Sequence, residues 1–281
     1  MLAPSSFDSR GSGSPDDLPT HVQKQTPIYA QIVQAIRQEA ARQAPKLRNR
    51  ACQPIFLLHP QPTSKVCLFF HGFTAAPYQF APLAQILFQA GYNVLVPLLP
   101  EHGLLGDWGP FNPPPLPTQA EPYEAFAQEW LQLARGLGQQ LVIGGLSGGG
   151  TLAAWLSLEH SRALTKTLLF APYFGSSRPV VDQVTRLVNR YQEWLRPTPD
   201  SVAPGYGGFE VTALRVFLEM GREVLRRSHY EDTPSTFVIA SPSDRAASNF
   251  DHRLFLNASC AISPTPGISA SIQFTIFPTQ C

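Results

Sequence analysis

The sequence has no excess of one charge and no long apolar run. Its 21 basic and 20 acidic side chains leave a formal net charge of +1, which provides no long-range field to attract nucleic acid or an anionic membrane. No apolar run approaches the roughly 18 residues of a membrane span, and the first residues lack a basic region followed by an apolar one. We therefore expect a cytoplasmic protein that binds no nucleic acid and has no membrane span.

Cysteine is also scarce. The four cysteines show no metal-type pairing, so we expect no metal, and we predict no other cofactor. With 281 residues and 43% hydrophobic content, the chain is long enough for one large α/β domain with an insertion, or for two small domains. We favour a single domain, and the composition leaves the oligomeric state open.

Apolar residues divide the chain into three segments. Residues 1–26 contain few large apolar side chains, and we predict a disordered tail there. Apolar residues then recur at helical spacing from Ile28 to Ile36, which predicts an N-terminal helix in the segment 27–51 that packs on the outside of the domain. The remaining segment, 52–281, carries the motifs of the main domain.

Short apolar runs bounded by turn residues predict strands in the main domain. Most runs are continuously apolar, as expected for strands covered on both faces, and helical patterns at 81–91, 119–138 and 149–160 separate several of them. This order predicts an α/β fold with a doubly wound, mostly parallel sheet. The predicted strands are 55–58, 66–70, 94–96, 141–143, 168–170, 237–240 and 272–277.

The interval 176–232 departs from this alternation of strand and helix patterns. It contains two long amphipathic helical patterns with no strand between them, one continuing as far as residues 194 and 195 and the other centred on Phe217. We interpret it as a small helical cap inserted into the domain, with helices that pack on the main domain and also cover the site described next.

The segment 145–149, Gly-Leu-Ser-Gly-Gly, is the most informative motif. It follows an apolar strand pattern and precedes a helical one, which is the order of a nucleophile elbow, where flanking glycines allow close backbone approach and the serine hydroxyl projects from the strand end. We therefore predict Ser147 as a catalytic nucleophile. A phosphate-binding loop is the alternative for these glycines, but it is disfavoured because no Lys-Ser/Thr pair follows.

The loop His71-Gly72-Phe73-Thr74 follows the second predicted strand and is expected beside Ser147. Acyl transfer needs two N–H groups aimed at the developing oxyanion, and the backbone N–H groups of Phe73 and Gly148 would form this oxyanion hole. We expect His71 to brace the loop by hydrogen bonding rather than to act as the base.

Asp244 comes directly after a strand-like run, which places its carboxylate at the same sheet edge as Ser147. The chain order Ser then Asp is that of the elbow class, so we predict Asp244 as the acid of the catalytic group. Its alternative is a turn aspartate that accepts hydrogen bonds from local N–H groups.

These residues resemble those of the α/β-hydrolase superfamily over about 52–281, most closely carboxylesterases and monoacylglycerol lipases with a small cap. The segment 97–103, Pro-Leu-Leu-Pro-Glu-His-Gly, resembles a family segment Pro-x-x-x-Gly-His-Gly, with Glu101 in place of the first glycine. The resemblance implies that His102 borders the site and binds substrate. It also implies ester hydrolysis of a small molecule by a Ser-His-Asp mechanism, although thioesters and amides use the same groups.

The sequence departs from the family at the histidine, which the resemblance places after the last strand. No histidine follows His252, which lies near the start of a predicted helix on the wrong side of that loop, and which is the weak remaining candidate for the base. Residues 254–281 contain no Asp, Glu, Lys, Arg or His. We hypothesise a C-terminus that is truncated or read in a shifted frame near Ala258; the alternative is a natural uncharged strand and loop.

Two functions therefore stay open. If a base is supplied, the chain is a serine esterase or lipase-like hydrolase. If none is supplied, it is a catalytically inactive binding protein with a hydrolase fold, because loss of a triad member leaves only the residual acceleration of the oxyanion hole and of binding. Labelling by a fluorophosphonate distinguishes the two.

Overall fold

The computed structural model describes residues 20–194 and 205–262. A six-stranded sheet lies at its centre, with the strand order β1-β3-β2-β4-β5-β8. Strand β1 pairs antiparallel with β3, and the four other pairings are parallel, which confirms the mostly parallel sheet. The six strands are β1 Ile55–Leu57, β2 Lys65–Phe70, β3 Tyr92–Val96, β4 Gln140–Leu146, β5 Lys166–Phe170 and β8 Thr236–Ile239.

Six of the seven predicted strands correspond to these strands, and the seventh, 272–277, lies outside the described residues. The three predicted helical patterns correspond to α2 Ala81–Gln89, α3 Glu121–Arg135 and α4 Gly148–Glu159. The central strand β2 is fully buried from Val66 to Phe70, because side chains alternate between two apolar layers. Leu68 packs with the layer that contains α3 and α4, and Phe69 packs with the layer that contains α2.

The N-terminal helix α1 spans Thr20–Gln43. It therefore begins before residue 27, where the predicted helix started, and residues 20–26 of the predicted tail are helical; residues 1–19 lie outside the described residues. Tyr29 and Ile36 are buried and anchor the helix, and each further residue then adds a hydrogen bond at little cost. The helix ends at Gln43, before residue 51, because Pro45 has no N–H to continue the i→i−4 hydrogen bonds. Short 3-10 turns follow at Ala44–Lys46 and Arg50–Cys52.

The cap differs from its prediction. Helix α5, Pro179–Leu187, and helix α6, Val211–Arg227, are present, but strands β6, Tyr191–Glu193, and β7, Gly208–Glu210, lie between them as an antiparallel pair. The prediction of no strand was therefore wrong. Arg215 of α6 explains where α5 ends, because its guanidinium donates hydrogen bonds to the carbonyl oxygens of Thr185 and Val188, which the helix leaves without partners. The connector residues 195–204 lie outside the described residues.

The last described helix, α7, spans Asn249–Ile262 and contacts α6 and β8. It begins soon after the loop that contains Asp244 and carries His252 in its first turns. In the part of the chain that the structure describes, no helix is both long and apolar enough to cross a bilayer.

Candidate active site

Ser147 lies between the end of β4 and the start of α4. Its backbone angles are φ 53° and ψ −119°, a combination that is costly for a residue with a side chain. Three backbone hydrogen bonds hold it there. The Ser147 N–H donates to the Phe170 oxygen at 2.9 Å, and the Ser147 oxygen accepts from the N–H groups of Thr151 at 3.0 Å and Tyr173 at 3.2 Å. The turn therefore presents a half-buried hydroxyl at the carboxyl edge of the sheet.

The glycines around Ser147 are required by close backbone approach, as the motif predicted. A Cβ atom on Gly149 would overlap the backbone oxygens of Phe70 and His71, and one on Gly145 would overlap Gly149. The first turn of α4 is thus packed directly onto the ends of β2 and β4. Only residues without a side chain permit this contact.

Phe73 and Gly148 are adjacent in the structure. A Cβ atom built on Gly148 would lie 3.2 Å from the Phe73 Cβ, and within residues 20–194 and 205–262 neither backbone N–H donates to another protein group. The Phe73 ring is fixed by edge contacts with Phe209 and Phe217 of the cap, at centroid distances of 5.0 Å and 5.5 Å. Phe73 thus lies against the residue that follows Ser147, and no described protein group accepts a hydrogen bond from either N–H.

His71 and His102 support this loop from behind. The Nε2 of His71 accepts from the Leu99 N–H at 3.0 Å, and its Nδ1 pairs with the Gly72 oxygen at 2.9 Å. The bracing role expected for His71 matches these contacts. Burial, and second the neighbouring His102, hold the pKa of His71 well below its usual range, so its ring is neutral.

His102 does not lie where the resemblance placed it. The ring is fully buried, and it is absent from the residues that line the cavity at Ser147. Its Nε2 accepts from the Thr74 N–H at 3.2 Å and its Nδ1 pairs with the Pro100 oxygen at 2.8 Å. Burial lowers the pKa of His102 to about 4. Because both ring nitrogens are occupied, His102 supports the loop and has no polar atom left for a substrate.

Asp244 lies at the same sheet edge as Ser147, and its neighbours Arg245 and Ala246 line the same cavity. Its Oδ1 accepts hydrogen bonds from the N–H groups of Ala246 and Ala247 at 2.8 Å and 3.0 Å. This is the geometry of the turn aspartate that was the alternative for Asp244. The second carboxylate oxygen leaves an acid role open.

His252 is near Ser147 but is separated from it by one peptide group. The Pro172–Tyr173 peptide donates its N–H to the Ser147 backbone oxygen at 3.2 Å, and its carbonyl oxygen pairs with the His252 Nε2 at 2.7 Å. Burial lowers the pKa of His252, while that hydrogen bond and the Asp244 carboxylate oppose the shift. Among the described residues, no histidine nitrogen is hydrogen-bonded to Ser147, and the buried His252 Nδ1 has no partner.

A cavity of about 480 Å³ opens over Ser147, between the sheet edge and the cap. Its walls are mostly aromatic and aliphatic, which suits an acyl group. The lining residues are Phe73, Ser147, Gly148, Tyr173, Ser176, Arg178, Val181, Trp194, Leu214, Phe217, Arg245 and Ala246. Among the described residues, no group of three His, Cys, Asp or Glu side chains is placed to hold a metal ion.

Thr74 and Tyr206 also help to hold the site, a role that no sequence motif predicts. Thr74 has a positive φ of 61°; its oxygen accepts from the Tyr206 N–H and its hydroxyl accepts from the Trp194 indole, both at 2.9 Å. The Tyr206 hydroxyl donates to the Glu101 oxygen at 2.7 Å. These contacts join residues about a hundred positions apart, and no short-range pattern marks them.

Comparison with known proteins agrees with this geometry. The model of a family described as the alpha/beta hydrolase family matches residues 67–269. A thermostable monoacylglycerol lipase from Bacillus sp. (strain H-257) is 33% identical over 101 residues, a match that covers 33% of this chain and 35% of the lipase. The match thus spans about a third of the length of this curated relative.

Solved structures of lipolytic enzymes have the same fold. One, from work on the metagenome-derived lipolytic enzymes LipS and LipT, aligns with a TM-score of 0.61 at 18% identity over 74% of this chain and 83% of that one. The monoacylglycerol lipase of Paleococcus ferrophilus aligns with a TM-score of 0.58 at 13% identity over 73% and 83% of the two chains. At these identities the likeness concerns the fold alone.

Proposed function

The chain belongs to the alpha/beta hydrolase family, and on that premise we propose that it is an esterase or lipase-like hydrolase of carboxylic esters with Ser147 as the nucleophile. The observation that carries the proposal is the backbone of Ser147, which is held at φ 53° and ψ −119°. It is supported by the neighbouring N–H groups of Phe73 and Gly148, which donate to no described protein group. Strain of this kind persists only where the surrounding structure enforces it, and it is concentrated at functional sites.

The reaction follows from the positions of these groups. Ser147 Oγ attacks the ester carbonyl while its proton passes to a base, and the N–H groups of Phe73 and Gly148 stabilise the oxyanion. The carbon–oxygen bond of the ester then breaks, the alcohol leaves with a proton, and water releases the acyl group from Ser147. The apolar walls formed by Phe217 and Leu214 hold the acyl chain. The relative described as a monoacylglycerol lipase favours an ester of this general type.

The proposed reaction also requires a base that takes the proton of the Ser147 hydroxyl. His252 is the candidate, with Asp244 as the acid that raises its proton affinity. His252 can act only if its Nε2 exchanges the Pro172 carbonyl for the Ser147 hydroxyl. In that arrangement its partnerless Nδ1 would carry the proton, and Asp244 would have to accept a hydrogen bond from it to complete a Ser-His-Asp triad.

The same observation favours a second candidate function. With Nε2 bonded to Pro172, the serine has no base, and the chain would be a binding protein with a hydrolase fold. Residual acceleration from an oxyanion hole and binding alone is far below that of a complete triad.

A fluorophosphonate probe separates the two functions because it labels only an activated serine. We expect labelling of the unmodified chain, no labelling of Ser147→Ala, and strongly slowed labelling of His252→Gln. Circular dichroism of each variant would establish that it is folded. Absence of labelling in the folded, unmodified chain would overturn the esterase proposal in favour of the binding protein.

A further inference from the structure

Arg178 and Arg245 stand out in the cavity over Ser147, since they are the two charged residues among its described lining and both are positive. Arg178 directly precedes α5 in the cap, and Arg245 follows Asp244 in the loop after β8. Both side chains are exposed at the mouth of the cavity, whereas the apolar lining includes Phe73 and Phe217, which are buried.

The backbone holds the two arginines opposite each other. Ser176 and Ala247 form an antiparallel bridge, and the Ser177 N–H donates to the Ala246 oxygen at 3.0 Å. Continuing this register places Arg178 across from Arg245. Like charges in such a position are unfavourable, and an anion bound between them would remove this repulsion.

Neighbouring acids do not neutralise the pair. Within the described residues neither guanidinium forms an ion pair, although Arg222 pairs with Asp182 and Arg227 pairs with Glu159 and Glu231. Asp182 also accepts the Ser176 N–H. The Asp244 Oδ1 receives two backbone N–H groups. Arg222 and Arg227 thus have carboxylate partners, whereas the two arginines at the cavity mouth have none among the described residues.

We propose that this cavity takes an ester with an apolar acyl chain and an anionic group, a carboxylate or a phosphate, on its alcohol side. The inference rests on the proposed ester hydrolysis at Ser147. The acyl chain lies against the apolar walls, and the other end of the substrate reaches the mouth, where Arg178 and Arg245 bind the anion. Guanidinium groups suit this task because their planar donors match both carboxylate and phosphate oxygens.

Matched esters test the charge preference. The probes are 4-carboxyphenyl butyrate, 4-phosphonophenyl butyrate and the neutral 4-carbamoylphenyl butyrate, which has nearly the shape of the carboxylate. We expect kcat/KM to favour an anionic ester over the neutral one by on the order of ten-fold. This ratio should fall in Arg178→Gln and in Arg245→Gln, and it should approach the ratio of the alkaline hydrolysis rates in the double variant.

Two controls sharpen this test. Arg162→Gln removes an exposed positive charge that precedes β5, at the opposite edge of the sheet, and should leave the ratio unchanged. Added salt should reduce the preference in the unmodified chain, since it screens charges at a cavity mouth. The ranking of the carboxylate probe against the phosphonate probe, which stands in for a phosphate, identifies which anion the site prefers.

Non-hydrolysable analogues keep this inference distinct from the esterase proposal. 4-Butoxybenzoate and 4-butoxybenzamide replace the ester by an ether, and their Kd values can be measured by calorimetry on the unmodified chain and on Ser147→Ala. Tighter binding of the benzoate that is lost in the double arginine variant supports the anion site even if no ester is cleaved. Equal Kd values for the two analogues, or equal normalised kcat/KM values for charged and neutral esters, would overturn it whether or not Ser147 is active.

Discussion

At the residue scale, the proposed function depends mainly on the backbone conformation of Ser147. A side chain at φ 53° and ψ −119° costs on the order of 1–3 kcal/mol. The sequence predicted this position because the glycines and the strand–turn–helix order are local, and local patterns can be read directly from the sequence.

Glycine at position 147 should relieve that strain. We expect urea unfolding to show a free energy of unfolding for Ser147→Gly that is about 1 kcal/mol higher than that of Ser147→Ala. This difference already subtracts the extra freedom of glycine in the unfolded chain. Alanine is the right reference because it also lacks the hydroxyl but keeps the Cβ atom. A lower stability of the glycine variant would mean that the turn is not strained.

The buried His102 should make stability depend on pH. Its folded pKa is about 4, whereas an unfolded histidine titrates near 6.5, so between these values the unfolded chain binds more protons. The free energy of unfolding therefore rises as the pH rises through this window. Since each unit of pKa difference corresponds to about 1.4 kcal/mol, acidification through the whole window should lower the free energy of unfolding by roughly 3 kcal/mol. The lowered pKa of His71 acts in the same direction.

Urea unfolding at several pH values between about 4 and 7 measures this effect. His102→Gln should flatten the rise with pH, whatever its absolute stability, because glutamine does not titrate. His229→Gln, a change at an exposed position, is the matched control and should leave the slope unchanged. If both variants keep the slope of the unmodified chain, titration of His102 does not produce the pH dependence of stability.

The residue scale also shows where reading the sequence fails. His102 was expected at the substrate because its segment resembles a family motif, yet a segment of seven residues does not determine which side of a loop a ring occupies. Its position depends on Thr74, which is distant in sequence. Glu101 is different, because the family segment has a glycine at its position, and glycine readily adopts a positive φ such as the 58° of Glu101.

At the scale of elements, the contact of α4 with the ends of β2 and β4 positions the site. Gly149→Ala tests it because the new Cβ atom would overlap two backbone oxygens, which cannot move as side chains can. We expect a loss of about 3 kcal/mol or more in unfolding free energy, together with loss of activity. Gly109→Ala is the control, because a Cβ atom built at position 109 would have no neighbour within 4 Å. It should change the free energy of unfolding by less than about 0.5 kcal/mol. Similar unfolding midpoints for the two variants would contradict this packing.

Elements with a strong local pattern were predicted well, and those defined by tertiary contacts were not. Continuous apolar runs identified the strands of the main sheet because both faces of that sheet are covered. The hairpin of β6 and β7 was missed since its three-residue strands are too short for a periodicity, and since part of the stripe assigned to the preceding helix continues into β6. The end of α5 depends on Arg215, a residue of another helix.

At the scale of the whole molecule, the parallel sheet collects the candidate groups at one edge. Ser147, the N–H groups of Phe73 and Gly148, and the loop of Asp244 come from separate parts of the chain and meet there because parallel strands end together. His252 reaches the same edge from α7 but lies behind the Pro172–Tyr173 peptide. The fold thus brings together the groups proposed as nucleophile and oxyanion donors, and the proposed reaction then depends on whether His252 can act as the base.

Hydrolysis of 4-nitrophenyl butyrate by the purified chain, measured beside Ser147→Ala at several pH values, decides whether Ser147 is a nucleophile. We expect turnover by the unmodified chain to exceed that of Ser147→Ala by about a thousand-fold or more. Equal rates for two folded proteins, both near the rate without protein, would contradict it and identify the chain as a hydrolase-fold protein that does not use Ser147 for catalysis.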